Sequence, residues 1–192
     1  MKKYCFVVLG TLIFSCGHVP QIHYYTIDYP LVEKGNTPSR DILCVQTFKA
    51  DPSYAQDKMV YKEEPYELKF DHYRRWFAAP SYMVTEKICA HLRSLQLFKH
   101  VTTQLPNDQD CLVLAGTIKQ FEEVVGGIDH VARVALWVEI HDFPEREVCW
   151  AGLLYAEEPI MNNDITSIIE AMSLATKNCI SQLAEKLADL PE

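Results

Sequence analysis

His130-Val131-Ala132-Arg133-Val134-Ala135-Leu136-Trp137-Val138-Glu139-Ile140-His141-Asp142 decides the fold class. Val134, Leu136, Val138 and Ile140 alternate with Arg133, Ala135, Trp137 and Glu139. A period of two is a strand with one face in a core and the other partly exposed. Cys111 to Val125 precedes it and Glu147 to Glu157 follows it, both strand-like. Gly126-Gly127-Ile128-Asp129 reverses the chain between the first two strands, and Phe143-Pro144-Glu145-Arg146 between the last two. The three strands form a meander.

Downstream of the meander, Asp164 is suited to cap a helix. Ile165, Ile168, Ile169, Met172, Thr176, Cys179, Ile180, Leu183, Leu187 and Leu190 then trace one apolar stripe. Such a stripe lies across a sheet face. Upstream, Pro80 suits a first helical turn, and Val84, Ile88, Leu92 and Leu95 recur at helical spacing to about Gln96. Phe98 to Thr103 is a brief strand. Further back, the sequence predicts strands at His23–Tyr29, Asp41–Lys49, Met59–Tyr61 and Tyr66–Phe70. Asp41–Lys49 is apolar enough to be buried on both faces. Glu33 to Ser39 is a loop by composition. The expectation is an α+β domain. An antiparallel or mixed β-sheet ending in the meander is packed by one mid-chain helix and one long C-terminal helix.

The first sixteen residues read differently. Lys2 and Lys3 are basic, Phe6 to Phe14 is a short apolar run, and Ser15 is small before Cys16. That order is a secretory signal, and the run is too short to span a membrane, which takes ~20 apolar residues. Ile13-Phe14-Ser15-Cys16 resembles a bacterial lipobox, with bulky Phe14 a departure from it. On that reading residues 1–15 are a signal peptide, Cys16 carries the lipid, 16–22 form a tether, and 23–192 form one domain. An ordinary secreted chain and a buried N-terminal strand are the other readings.

Cleavage before Cys16 leaves 177 of the 192 residues, enough for one domain with a good core. The net charge of −8 becomes −10 once Lys2 and Lys3 are lost. Such acidity, without a Lys/Arg block, argues against nucleic acid and against attraction to anionic lipid. Membrane attachment then comes from acyl chains. Of seven cysteines, Cys5 leaves with the signal and Cys16 is modified, so Cys44, Cys89, Cys111, Cys149 and Cys179 remain. They are scattered, odd in number and lack C-x-x-C. They read as small buried hydrophobes; one disulfide or a reactive thiol are the alternatives.

No catalytic motif stands out. G-x-S-x-G, a phosphate loop, the dinucleotide glycine fingerprint and H-E-x-x-H are all missing. The seven histidines are scattered, so no metal site and no cofactor are expected. Glu122-Glu123 and Glu157-Glu158 read as solvated strand ends, and no catalytic residue is assigned. Tyr66, Phe70, Tyr73, Arg75 and Trp76 are unusual together, with Arg74 and Phe77 among them. They are either core packing or an exposed aromatic patch with arginines, the composition enriched at interfaces. Such a patch also suits acyl chains.

The ordered pieces resemble a known family. Cys16 is followed by Tyr25-Thr26-Ile27, Met59-Val60-Tyr61, Tyr73-Arg74-Arg75-Trp76 with Pro80, and Leu92 leading to Phe98 and Val101. Asp110 to Ile118 with Phe121 completes the set. Together these look like the ABC-type transport auxiliary lipoproteins, over nearly the whole mature chain. Leu95-Gln96-Leu97 departs from the Ser-Gly often found before the phenylalanine, which leaves the helix without its usual glycine cap. The resemblance implies a non-enzymatic component of a lipid transport system. It implies a mammalian-cell-entry type transport protein, a permease and an ATPase as partners; the scaffold reading adds a homo-oligomeric ring. Gly17 after Cys16 implies sorting to the periplasmic face of the outer membrane. A lipid carrier that takes an acyl chain into its core, and a periplasmic enzyme, are the rival readings.

Overall fold

The computed structural model describes residues 20–31, 33, 40–106, 109–126 and 129–190. The signal segment and Cys16 lie outside them, as do Gly127-Ile128 and most of the Glu33–Ser39 loop. The elements run β1 (His23–Tyr25), β2 (Arg40–Val45), β3 (Lys49–Ala50), β4 (Lys58–Lys62), β5 (Lys69–Trp76) and α1 (Pro80–Leu95). β6 (Phe98–Thr102), β7 (Cys111–Gly126), β8 (Asp129–Phe143), β9 (Val148–Pro159) and α2 (Ile165–Ala188) follow. The architecture is α+β, with a mixed nine-stranded sheet among the described residues.

β7 is the spine. One edge pairs antiparallel with β8 over its whole length, from Cys111 opposite Phe143 to Gly126 opposite Asp129. The other edge is shared by three short parallel strands: β2 at Leu112–Leu114, β3 at Thr117–Ile118 and β4 at Glu122–Val124. β6 extends the sheet beyond β2, in parallel. β5 extends it beyond β4, antiparallel, and β1 adds a parallel edge on β5. β9 completes the meander on β8.

Both helices cover one face. Ala132, Val134, Leu136, Val138 and Ile140 of β8 are buried beneath them, with Leu154 and Ala156 of β9. Ile88 and Leu92 of α1 and Met172, Ile180 and Leu183 of α2 fill the same core. Asp164 caps α2 by accepting from the Ser167 backbone N–H at 2.9 Å. That bond holds the Asp164 carboxyl below its usual range. The opposite face carries a smaller cluster of Cys44, Cys111 and Val113.

The differences from expectation are local. The first strand stops at Tyr25 because β5 ends at Trp76 and leaves nothing further to pair with. Residues 26–30 instead pass over the helices: Asp28 N–H donates to Ser173 Oγ at 3.0 Å, and Tyr29 hydroxyl meets His91 Nδ1 at 3.3 Å. The Asp41–Lys49 strand breaks after Val45, where Phe48 N–H turns to the Thr85 hydroxyl of α1 at 2.9 Å. β5 starts later than expected and runs on to Trp76, leaving Tyr66 in the turn before it. Cys44, Cys89, Cys111 and Cys179 are buried, and desolvation pushes the Cys179 thiol up to about 12, but Cys149 is at the surface.

Two positions test this packing. The Phe48 ring fills the space over Gly116, where an added methyl would also meet the Trp137 carbonyl oxygen at 2.8 Å. Gly116→Ala should cost ~1–3 kcal/mol, the range for overpacking, in urea unfolding. Gln96 closes α1 in the left-handed region at φ 53°, its N–H bonded to Arg93 O. Glycine adopts that conformation without the Cβ penalty of ~1 kcal/mol. Gln96→Gly should therefore raise the unfolding midpoint.

Candidate functional site

Two features stand apart from ordinary core packing: a pair of adjacent glutamates on the spine, and exposed apolar side chains on the sheet and its turns.

The glutamates are not solvated strand ends. Between Ile118 and Gln120 the β7–β8 register slips by one residue. Before the slip the even residues of β7 face the helices; after it Phe121 and Glu123 do, and Glu122 faces away. Glu122 is 0% exposed. The short turn Pro52–Tyr54 covers it, and Tyr54 hydroxyl donates to Oε2 at 2.5 Å. Lys62 Nζ lies 3.1 Å from Oε1 and Arg133 Nη1 3.8 Å from it. Arg133 is too far for a hydrogen bond and Lys62 is not aligned for one, so Oε1 faces two cations without receiving a directed bond. Burial and the neighbouring carboxylate push the Tyr54 phenol well up, keeping it a donor. Arg133 continues outward to Glu157 at 2.5 Å.

Glu123, on the helix side, accepts from His130 Nε2 at 2.7 Å, with Arg74 Nη2 4.0 Å from its other oxygen. His130 Nδ1 meets Asn163 Oδ1 at 3.1 Å. Both ring nitrogens have a partner, which ties this carboxylate–imidazole pair into the fold. Glu122 is fully enclosed. Among the described residues no group of three His, Cys, Asp or Glu is placed to hold a metal ion.

The expected contact residues separate in space. Trp76 is 2% exposed and packs on Phe121 with ring centroids 5.2 Å apart. It belongs to the core and must be removed from any contact surface. Arg75 is held by Asp57 at 3.3 Å and is partly buried. Tyr66 is fully exposed, Tyr73 is half-exposed and Phe70 is part-exposed. Sequence reasoning missed a second surface. On the face away from the helices, Trp137, Leu153 and Tyr155 form an exposed apolar stripe on β8 and β9. Its signal was present, since Trp137 stands on the outward phase of the alternation that defines β8.

Two recesses bordered by charged side chains open among the described residues. One of about 520 Å³ lies between Lys62, Glu64, Val125 and Arg133. Another of about 520 Å³ lies between Asp41, Lys99, His100 and Asp110.

No family model matches the chain, and no curated protein matches it. Solved structures do. Protein XCC0632 from Xanthomonas campestris, a DUF330 protein, superposes with TM-score 0.71 at 16% identity, covering 86% of this chain and 92% of that one. The hypothetical protein CT253 from Chlamydia trachomatis gives 0.55 at 10% identity, over 79% and 98%. PelC from Paraburkholderia phytofirmans, solved as a dodecamer, gives 0.50 at 15% identity, over 82% and 95%. At these identities the likeness establishes a shared fold.

The buried glutamate yields a test of its role. Glu122→Ala leaves Lys62, Arg133 and Tyr54 around a void and should cost ~3–5 kcal/mol, the range for breaking a buried pair. Glu122→Gln keeps the volume and the Tyr54 contact and should cost less. Urea unfolding compares them; an alanine variant as stable as the parent would remove the structural role.

Proposed function

We propose that this chain is a lipid-anchored, non-enzymatic scaffold of an ABC-type lipid transport system. It is held at the periplasmic face of the outer membrane through Cys16. The observation that carries the reading is the lipobox-like Ile13-Phe14-Ser15-Cys16, placed seven residues before the first strand of a tightly packed domain. Three further points support it. The carboxylates with buried or paired oxygens are bound into the fold. Phe48, Phe121 and the aliphatic side chains fill the space between the sheet and helices, and both recesses described above carry charged side chains in their walls. An acyl-chain carrier wants apolar walls around ~300–1,000 Å³. The fold is shared with a DUF330 protein.

In this reading the anchor restricts the domain to a surface, which raises effective concentration and lets modest contacts suffice. Tyr66 and Phe70 supply contacts at the membrane end, and Tyr73 with the partly buried Arg75 supplies contacts farther along β5. The Trp137–Leu153–Tyr155 stripe serves for protein partners, a mammalian-cell-entry type transport protein or further copies of the chain. PelC, with this fold, is a dodecamer, which supports a ring.

Mass spectrometry of the native protein should find a diacylglycerol-modified Cys16 at the mature amino terminus. Cys16→Ala should release the protein from the membrane and abolish transport function, and crosslinking of the wild-type should recover a transport component. An unmodified terminus, or crosslinking that recovers no such component, would count against the scaffold.

A further inference from the structure

We infer that the end of the domain formed by the β4–β5 turn and the β9–α2 connection rests on the zwitterionic lipid surface of the bilayer. The inference rests on the anchored reading above and names what that end meets.

The topology gathers these segments. β4 runs parallel to β7, so Lys62, where β4 ends, is level with Val124 near the end of β7. β5 and β8 both begin at this end. β9 finishes here, with Pro159 opposite Val131, and Ile160 N–H bonds to His130 O. α2 starts beside them. Apolar side chains that a soluble surface has no use for project from this end: Tyr66 at 101% exposure and Met161 at 81%, with Leu68 and Phe70 part-exposed. Exposed aromatic and large apolar side chains of this kind settle at the boundary between headgroups and acyl chains.

The tether fixes which end faces the lipid. β1 is parallel to β5, with His23 opposite Arg74. The N-terminal end of β1 therefore points to the start of β5 and the Tyr66 turn. Seven residue steps lead from Cys16 to His23. Fully extended they span at most ~25 Å, at 3.3–3.6 Å each. Through Arg75 opposite Lys58 and Val60 opposite Glu122, His23 is level with about Gln120 on the spine. The Gly126 end is then roughly 20 Å away and the Cys111 end roughly 30 Å, at ~3.3 Å per residue. An acylated Cys16 reaches the level of the Tyr66 end and falls short of the other.

Charge decides the kind of lipid. Glu63, Glu64 and Glu67 surround Tyr66. Lys69 offsets two of them, Glu63 and Glu67. The end is thus not basic, and apolar contact with a zwitterionic surface fits it where an anionic surface does not.

The test uses the acylated full chain in protein-free phosphatidylcholine vesicles whose acyl chains carry bromine, which quenches tryptophan. Tyr66→Trp and Met161→Trp place reporters at this end, and Val148→Trp places one at the opposite end of β9. All three sites are exposed, so folding is spared. Emission is read as the difference from the parent. The reporters at 66 and 161 should lose roughly half their emission, as expected ~5–10 Å into the interface. The one at 148 should be unchanged. Vesicles rich in anionic lipid should give less quenching.

Equal quenching at all three sites, or none at 66 with acylation verified by mass spectrometry, overturns this inference and leaves the anchored scaffold standing. Change at 66 only after membrane proteins are added assigns the surface to a protein partner and also overturns it. A chain without acylation fails the anchored reading itself, and this inference falls with it.

Discussion

A sixteen-residue strand in the middle of a sheet must have both edges hydrogen-bonded, and β7 meets that demand asymmetrically. Unpaired backbone groups in a sheet interior are costly. One hairpin neighbour satisfies the first edge from end to end. The second edge is covered piecewise by β2, β3 and β4, which come from the N-terminal third of the chain. The rest of the architecture follows. Because three strands share one edge, the sheet divides into a β2–β6 wing and a β4–β5–β1 wing. The chain between β5 and β6 must cross from one wing to the other, and α1 is that crossing. Phe48 plugs the gap between β2 and β3, and its ring needs a residue without a side chain opposite, which is Gly116.

Much of this was legible in residue order alone. The meander, α1 and α2 were readable because their signals are local: the period of two in β8, the stripe from Ile165 to Leu187, and the Asp164 cap. Gln96 was legible as an oddity, a position where glycine is usual, and the chain does adopt the left-handed conformation there. The parallel pairings were not legible. Nothing in Leu43-Cys44-Val45 says that its neighbour is Leu112-Val113-Leu114, since the pairing is set by tertiary docking and not by a local turn. The early end of β1 was hidden for the same reason: Thr26 to Pro30 has strand composition and lacks a partner.

The candidate surfaces divide along the same line. Tyr66, Phe70 and Tyr73 were visible as a cluster of aromatics, but composition cannot tell which of a set turns inward. Trp76 is one residue out of phase with Arg75 and lands against Phe121. The fate of Glu122 was hidden more deeply. Its burial depends on Tyr54, sixty-eight positions earlier, folding over it, and on cations from two other strands.

Lys119 carries an implication of its own. It is the supernumerary residue where the β7–β8 ladder slips. Were it deleted and the ladder closed up, every residue from Gln120 onward would swap sides. Phe121 would leave Trp76 for the solvent-side turn, and a carboxylate would be driven under the helices. A single spare amino acid thus works as a phase inverter, and it decides which of the chain's two neighbouring acids lies under the helices.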